Sequence, residues 1–256
     1  MGVLVYIYLF LLGTILGSFY GVVGTRLPQN KSIIKPASHC EHCNHALKWY
    51  DLIPIISYVF TLGKCRYCKK HLSIFYPAIE IGMGLLLCLN YYLFGPVLSY
   101  KFLEGFFVFS LCMIIFISDF SYFIILDSPL IITSLATIIL KCIFFGYKTA
   151  LLAILSGLIL FAIMYIVKII GDKSFKRESL GGGDIKLAFV VGTILGFKLG
   201  ICALILSTFI ALPYALLKVY LSEKKEVPFG PFIIGACVLV FIFMSKFNNL
   251  LNYLFT

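Results

Sequence analysis

Apolar stretches of bilayer-spanning length recur along almost the whole chain, and a soluble core cannot bury that many of them. A hydrocarbon layer of about 30 Å asks for about 20 predominantly apolar residues per helical crossing. Stretches close to that length lie at 3–25, 77–99, 102–118, 128–146, 149–170, 199–219 and 231–252. A shorter one at 185–197 is punctuated by Gly192 and Gly196 and is expected to tilt, to lie shallow or to line a polar cavity. The expectation is an all-α polytopic membrane protein with about eight transmembrane helices. Composition agrees, with 61% apolar and 12% charged residues, against about 45–50% and about 25% in soluble domains. A soluble globular domain, a disordered chain, a collagen and a disulfide-stapled miniprotein are thereby excluded.

The net charge of +10 could point to nucleic acid, but its placement explains it better. Eight of the 21 Lys and Arg residues fall between 26 and 76, where Glu41 and Asp51 are the only acids. By the positive-inside rule that segment is a cytoplasmic loop, both termini are outside, and no nucleic acid is needed. The stretch 3–25 lacks the basic start and short apolar core of a cleavable signal peptide, so it is read as the first span. On this topology 16 of the 21 basic residues are cytoplasmic, including Lys173, Lys176, Arg177, Lys218, Lys224 and Lys225. Lys101, Lys141, Lys148, Lys198 and Lys246 fall outside, several at span ends from which they can snorkel. The first span carries Gly13, Gly17 and Gly21 at four-residue spacing, then Gly24. That smooth face suits either a groove for a substrate helix or, the more common use, close packing on a neighbouring span.

The loop holds four of the nine cysteines and all four histidines, His39, His42, His45 and His71. The cysteines form two knuckles, Cys40-x-x-Cys43 and Cys65-x-x-Cys68. Each knuckle can supply two thiolates from one tight turn, and the chain between them folds back to complete a tetrahedral zinc site. A cytoplasmic location disfavours disulfides, and four thiolates with no open position indicate a structural Zn2+. The histidines could replace a thiolate or bind a partner, but surface histidines in a polar loop are the simpler reading. Cys88, Cys112, Cys142, Cys202 and Cys237 are solitary and read as small apolar side chains. The segment from Lys48 to Tyr58, with the single tryptophan Trp49, is too apolar for a free cytosolic loop. It is either an amphipathic segment at headgroup depth or a small core around the metal.

An acid within or at the edge of a span costs a few kcal/mol, so each is a candidate for function. Glu104 is read as interfacial. Asp119 ends the third span, Asp127 closes the short link before the fourth, and Asp184 follows Gly181-Gly182-Gly183. On this topology Asp119 and Asp184 share one membrane depth and can meet. Two close carboxylates tend to share a proton, so that one can activate water while the other protonates a peptide carbonyl. The glycines would let backbone approach an extended substrate segment, and Lys186 could bias the local charge. The GGGDIK run is not a phosphate loop, because it lacks both the spacing and the preceding strand.

These pieces in this order resemble the bacterial prepilin peptidases, or type IV leader peptidases, of the GxGD membrane aspartyl protease group. The resemblance runs through Gly17-Ser18-Phe19, Arg26-Leu27-Pro28, the two knuckles, Trp49 to Pro54, Gly63 to Arg66 and Tyr76 to Glu80. It resumes at Asp119 and Asp127, at Gly181-x-Gly183-Asp184-x-Lys186, and at Pro228-Phe229-Gly230-Pro231. It implies a multi-pass protein of the bacterial inner membrane. Such an enzyme cleaves the basic leader from type IV prepilins and pilin-like secretion or competence proteins at the cytoplasmic face. Asp119 and Asp184 match the catalytic pair, with Gly181, Gly183 and Lys186 positioning backbone or substrate. The resemblance also implies N-methylation of the new terminus with S-adenosylmethionine by the region 1–100, in which Glu80 matches a position tied to that cofactor, with the peptidase in 101–256. No Rossmann-type fingerprint supports the methyl transfer independently. Two rival readings are an intramembrane protease sharing GxGD and an ion-coupled transporter with paired midplane acids. The knuckle loop and the edge position of the acids argue against the first, and the lack of inverted repeats against the second.

Overall fold

The computed structural model describes residues 2–176, 179–221 and 227–255 and contains, among them, helices, two 3-10 turns and two isolated β-bridges. Arg177, Lys224 and Lys225, assigned above to the cytoplasmic side, lie outside the described residues. The chain divides into two compact units, the first ending at Phe102 and the second beginning at Leu103.

In the first unit, α1 (Gly2–Arg26) packs on α3 (Phe75–Phe94). Helix α1 stops where Pro28 enters a 3-10 turn closed by Asn30 in the left-handed region. A Cβ built on Gly13 would lie 2.6 Å from Gly84 Cα, and one on Gly17 would lie 2.8 Å from the Ile79 carbonyl oxygen. At Gly13 and Gly17 the glycine face is therefore a helix–helix contact, with backbones approaching where only hydrogen fits, whereas a Cβ on Gly21 would meet nothing within 4 Å. In sequence between these helices come the two cysteine knuckles and the five-residue α2 (Ile56–Phe60).

The second unit contains most of α4 (Tyr100–Tyr122), then α5 (Asp127–Phe145), α6 (Tyr147–Phe175), α7 (Gly182–Leu221), α8 (Gly230–Ile242) and α9 (Met244–Phe255). Among the described residues, six helices are long and apolar enough to cross a membrane, or seven if α8 and α9 form one broken span. This differs from the expected eight at the last span, and it counts as one helix the 40-residue α7, which Gly196 divides into the two segments expected at 185–197 and 199–219. The expected last span, 231–252, breaks at Phe243, and its halves meet at 86°. Helix α9 carries Ser245, Lys246, Asn248, Asn249 and Asn252, a polar face that cannot continue into hydrocarbon. The segments expected at 185–197 and 199–219 belong to one 40-residue element, interrupted by Gly196 at φ 77°, ψ 176°. There the chain doubles back, since a Cβ on Gly200 would lie 3.7 Å from Gly192 Cα, whereas eight residues of straight helix span about 12 Å.

Breaking α7 at Gly196 orphans the last carbonyls of its first half. Lys141 of α5 donates to two of them, those of Thr193 and Ile194, at 2.5 and 2.9 Å. The same Nζ lies 3.8 Å from Glu104 of α4. Glu104 is completely buried, so it is an internal ion-pair partner and not interfacial, and Lys141 is a helix-end donor inside the bundle and does not snorkel. Helices α6 and α7 approach closely where a Cβ on Gly192 would lie 2.7 Å from Gly157 Cα.

Candidate active site

Asp119 sits in the last turn of α4 and Asp184 in the first turn of α7. Both are nearly enclosed, at 4% and 9% exposure, and they are close enough for the charge of Asp119 to act on Asp184. Each is held by one backbone group and not by a cation. The amide of Gly230, the first residue of α8, donates to Asp119 Oδ2 at 3.0 Å. The backbone of Gly181 hydrogen-bonds to the Asp184 carboxylate, whose Oδ1 has no hydrogen-bond partner among the described residues. The pair thus lies about 22 Å along α4 from Glu104, at the other end of the bundle.

The glycines earn their places through one neighbour. A Cβ on Gly183 would lie 2.8 Å from Ile125 Cβ, and a Cβ on Gly230 would lie 2.7 Å from Ile125 Cδ1. Ile125, in the link between α4 and α5, is thus wedged between the start of α7 and the start of α8. Gly181 is close to the acid itself, its Cβ position being 3.1 Å from Asp184 Oδ2. Lys186 is placed elsewhere: its Nζ binds both carboxylate oxygens of Asp127 at 2.8 Å in an exposed pair. That pair stands at the rim of an apolar groove of about 380 Å³ that runs past Leu130, Ile131, Leu158, Phe161 and Phe189.

In the first unit the four cysteines converge, with all sulfurs within 4.8 Å of one another. A tetrahedral metal with M–S bonds of about 2.3 Å would set its sulfurs about 3.8 Å apart, and Cys40 Sγ and Cys68 Sγ are 3.9 Å apart. The knuckles are duplicates 25 residues apart. Asn44 N–H donates to the Cys40 carbonyl and Leu47 N–H to Ser38, as Lys69 N–H does to Cys65 and Leu72 N–H to Gly63. Asn44 and Lys69 take matching left-handed conformations at φ 55° and 59°. Burial pushes the Cys40 thiol up, but the amides of His42 and Cys43 and the neighbouring thiols outweigh it and leave it at about 6. At Cys43 the His45 amide acts downward, yet desolvation and the other three thiols carry it to about 11. The thiolate is the form that binds a cation, and the surroundings of Cys40 favour it. The histidines are outside this cluster, and His45 instead stacks on Tyr67. Asp51 ties the inter-knuckle segment to the second knuckle, accepting from Arg66 Nε at 2.9 Å and the Tyr67 hydroxyl at 3.1 Å.

Glu80 lies buried on α3 and accepts the Ile55 amide at 2.7 Å and a hydrogen bond from the Ser18 side chain. Its carboxylate is engaged by the protein's own loop and does not fit the part of a cofactor ligand.

Residues 11–94 match the model described as the bacterial peptidase A24 N-terminal domain, and residues 106–216 match the type IV leader peptidase family. The prepilin leader peptidase/N-methyltransferase of Bacillus subtilis is 32% identical over 240 residues, covering 92% of this chain and 93% of that protein. The chain belongs to the type IV leader peptidase family. The Vibrio cholerae protein of the same name is 31% identical and covers 92% of this chain and 97% of its own. That of Klebsiella pneumoniae is 30% identical, covering 75% and 85%. No solved structure matches. The two family matches fall on separate units, the knuckles and Glu80 in the first, Asp119, Asp127, Asp184 and Lys186 in the second. Two neighbours of the Asp119–Asp184 pair have no signal of their own in the sequence, the Gly230 amide and Ile125. Gly230 was visible only as part of the Pro228–Pro231 motif, and Ile125 looked like any apolar link residue.

Proposed function

We propose that this protein removes the leader from type IV prepilins and pilin-like precursors, with Asp119 and Asp184 as an aspartyl pair facing the cytoplasm. The observation that carries this is two enclosed carboxylates, delivered by different helices and near enough to interact, one of them with an oxygen that no group among the described residues engages. Paired carboxylates of this kind share one proton. The ionised member takes a proton from water as the water oxygen bonds to the scissile carbonyl carbon, and the protonated member donates to the carbonyl oxygen. Collapse of the tetrahedral adduct breaks the C–N bond and the leaving amine takes up a proton. Gly230 orients the first acid, Gly181 keeps the space beside the second free of a side chain, and Gly183 lets the start of α7 close on Ile125. The open pairing of Lys186 with Asp127 makes Lys186 a positioning residue at the rim and not a partner of the acids.

Cys40, Cys43, Cys65 and Cys68 fit a structural Zn2+, which would cross-link the knuckles and do no chemistry. The relatives carry N-methyltransferase in their names, and methyl transfer from S-adenosylmethionine is assigned here to the first unit on that basis. No step is derived through that cofactor, because Glu80 serves the loop.

Co-expression with a pilin-like precursor tests the pair. Asp119→Asn and Asp184→Asn should each lose cleavage by about 10²–10⁴-fold, the usual weight of a positioned acid or base, while the protein still accumulates in the membrane. Full processing by either variant rejects the assignment. Mass spectrometry of the product, with and without S-adenosylmethionine, reads methyl transfer separately.

A further inference from the structure

The hydrogen bond from Ile55 to Glu80 sets the depth of the metal loop. Glu80 is five residues past Phe75, about 7.5 Å along the axis of α3, and within the candidate span Phe75–Phe94. Ile55, in a left-handed conformation of φ 61°, ψ −52°, is held to its carboxylate at 2.7 Å and so lies within a glutamate side chain's reach of that level, on the Phe75 side. Helix α2 begins at the next residue, so its N-terminal end is tethered to the first turns of a membrane-spanning helix.

The exposure of α2 is the reverse of a cytosolic helix. Its polar contacts point into the loop: the Tyr58 hydroxyl donates to the Leu72 carbonyl and lies against Gly63. Its outer face, Ile56, Val59 and Phe60 at i, i+3 and i+4, is 49, 61 and 82% exposed, and Leu62 just beyond it is 82% exposed. Ile74, Phe75 and Tyr76, where α3 starts, are exposed as well. Lys64, Lys69 and Lys70 are exposed on the adjoining knuckle. An apolar face tethered to the first turns of a span, continuous with an aromatic span entry and bordered by lysines, has the composition of an interfacial anchor.

We propose that α2 and Leu62 insert into the leaflet at the Phe75 end of α3, with Lys64, Lys69 and Lys70 against anionic headgroups. The metal knuckles then lie on the membrane surface. This requires neither the peptidase mechanism nor occupancy of the thiol cluster.

The single tryptophan of the chain makes the test direct. Two full-length variants, Trp49→Phe/Phe60→Trp and Trp49→Phe/Leu62→Trp, are reconstituted in vesicles of phosphatidylcholine and phosphatidylglycerol. Lipids brominated near the headgroup end of the chain should quench the fluorescence at least about twofold, more than lipids brominated at the chain end, as a burial depth of about 5–10 Å demands. Aqueous acrylamide should quench weakly. Strong acrylamide quenching without bromolipid quenching in both variants overturns the proposal. So does protection from both quenchers, which would mean that a second copy or another protein covers the face. Quenching that appears only when a pilin-like peptide is withheld would make the face a substrate site and also overturn it.

Discussion

Replacing Gly230 with alanine asks whether the α8 amide holds Asp119. The new Cβ would lie 2.7 Å from Ile125 Cδ1 and 2.8 Å from Asp119 Oδ2. The Ile125 methyl ends a flexible side chain and can swing aside, at an overpacking cost of about 1–3 kcal/mol. The carboxylate oxygen cannot withdraw without lengthening its 3.0 Å bond from the Gly230 amide. A hydrogen bond to a charged group contributes about 1.5–3 kcal/mol, which, if fully expressed in the transition state, is about a 10- to 150-fold loss of rate. The assay is kcat/KM for cleavage of a pilin-like precursor by purified protein in nanodiscs, beside a thermal melt of the same preparation. Ile125→Val removes Cδ1 and relieves only the first clash. The double variant Gly230→Ala/Ile125→Val should therefore regain stability while remaining slow. A double variant that regains both would show that packing on Ile125, and not the carboxylate, is what the alanine disturbs. Wild-type turnover by Gly230→Ala alone would refute the positioning role.

Other perturbations have equally definite outcomes. Lys141→Met leaves Glu104 buried beside an orphaned helix end, and a lost buried partner costs about 3–5 kcal/mol; a clear fall in melting temperature is expected, with partial recovery when Glu104→Gln is added. Gly13→Leu forces α1 away from the Gly84 backbone, so a protease-accessibility assay should show loosened packing in the first unit, whereas an unchanged pattern would contradict the close approach. Cys40→Ser/Cys43→Ser should abolish bound metal by elemental analysis and expose the loop to proteolysis. For the wild-type site, protons compete with metal for the thiolates. With the Cys43 thiol at about 11, binding must displace protons at neutral pH, so metal content should fall as pH is lowered and not as it is raised.

Much of this was legible beforehand because it depends on local chemistry. The knuckle spacing led to the sulfur cluster, and the four-residue glycine repeat at Gly13 and Gly17 led to the contact with α3. What was misread depended on long-range partners. Glu104 looked interfacial because its position near a span end was visible while Lys141, 37 residues on, was not visibly its partner. Lys186 looked like a companion of Asp184 because it is two residues away, but its side chain finds Asp127 from another helix. The last span looked continuous because hydropathy averages over Phe243, where the backbone turns by 86°. The duplication of the knuckles was hidden because it is carried by hydrogen bonds and left-handed residues more than by shared side chains.

By itself, then, the sequence determined that the chain must live in a bilayer, how its basic residues are distributed along it, and which residue types could bind metal or share a proton. Those properties follow from transfer free energies and ligand chemistry, which belong to each residue or short motif wherever it is placed. Only the tertiary structure decided that Asp119 takes its hydrogen bond from Gly230, that Ile125 separates two glycine-started helices, and that Glu80 of α3 holds the Ile55 amide at the start of α2. These rest on distances of about 3 Å between groups far apart in the chain, and the hydrogen bonds and steric contacts among them weaken too steeply with separation and angle for spacing alone to foretell them.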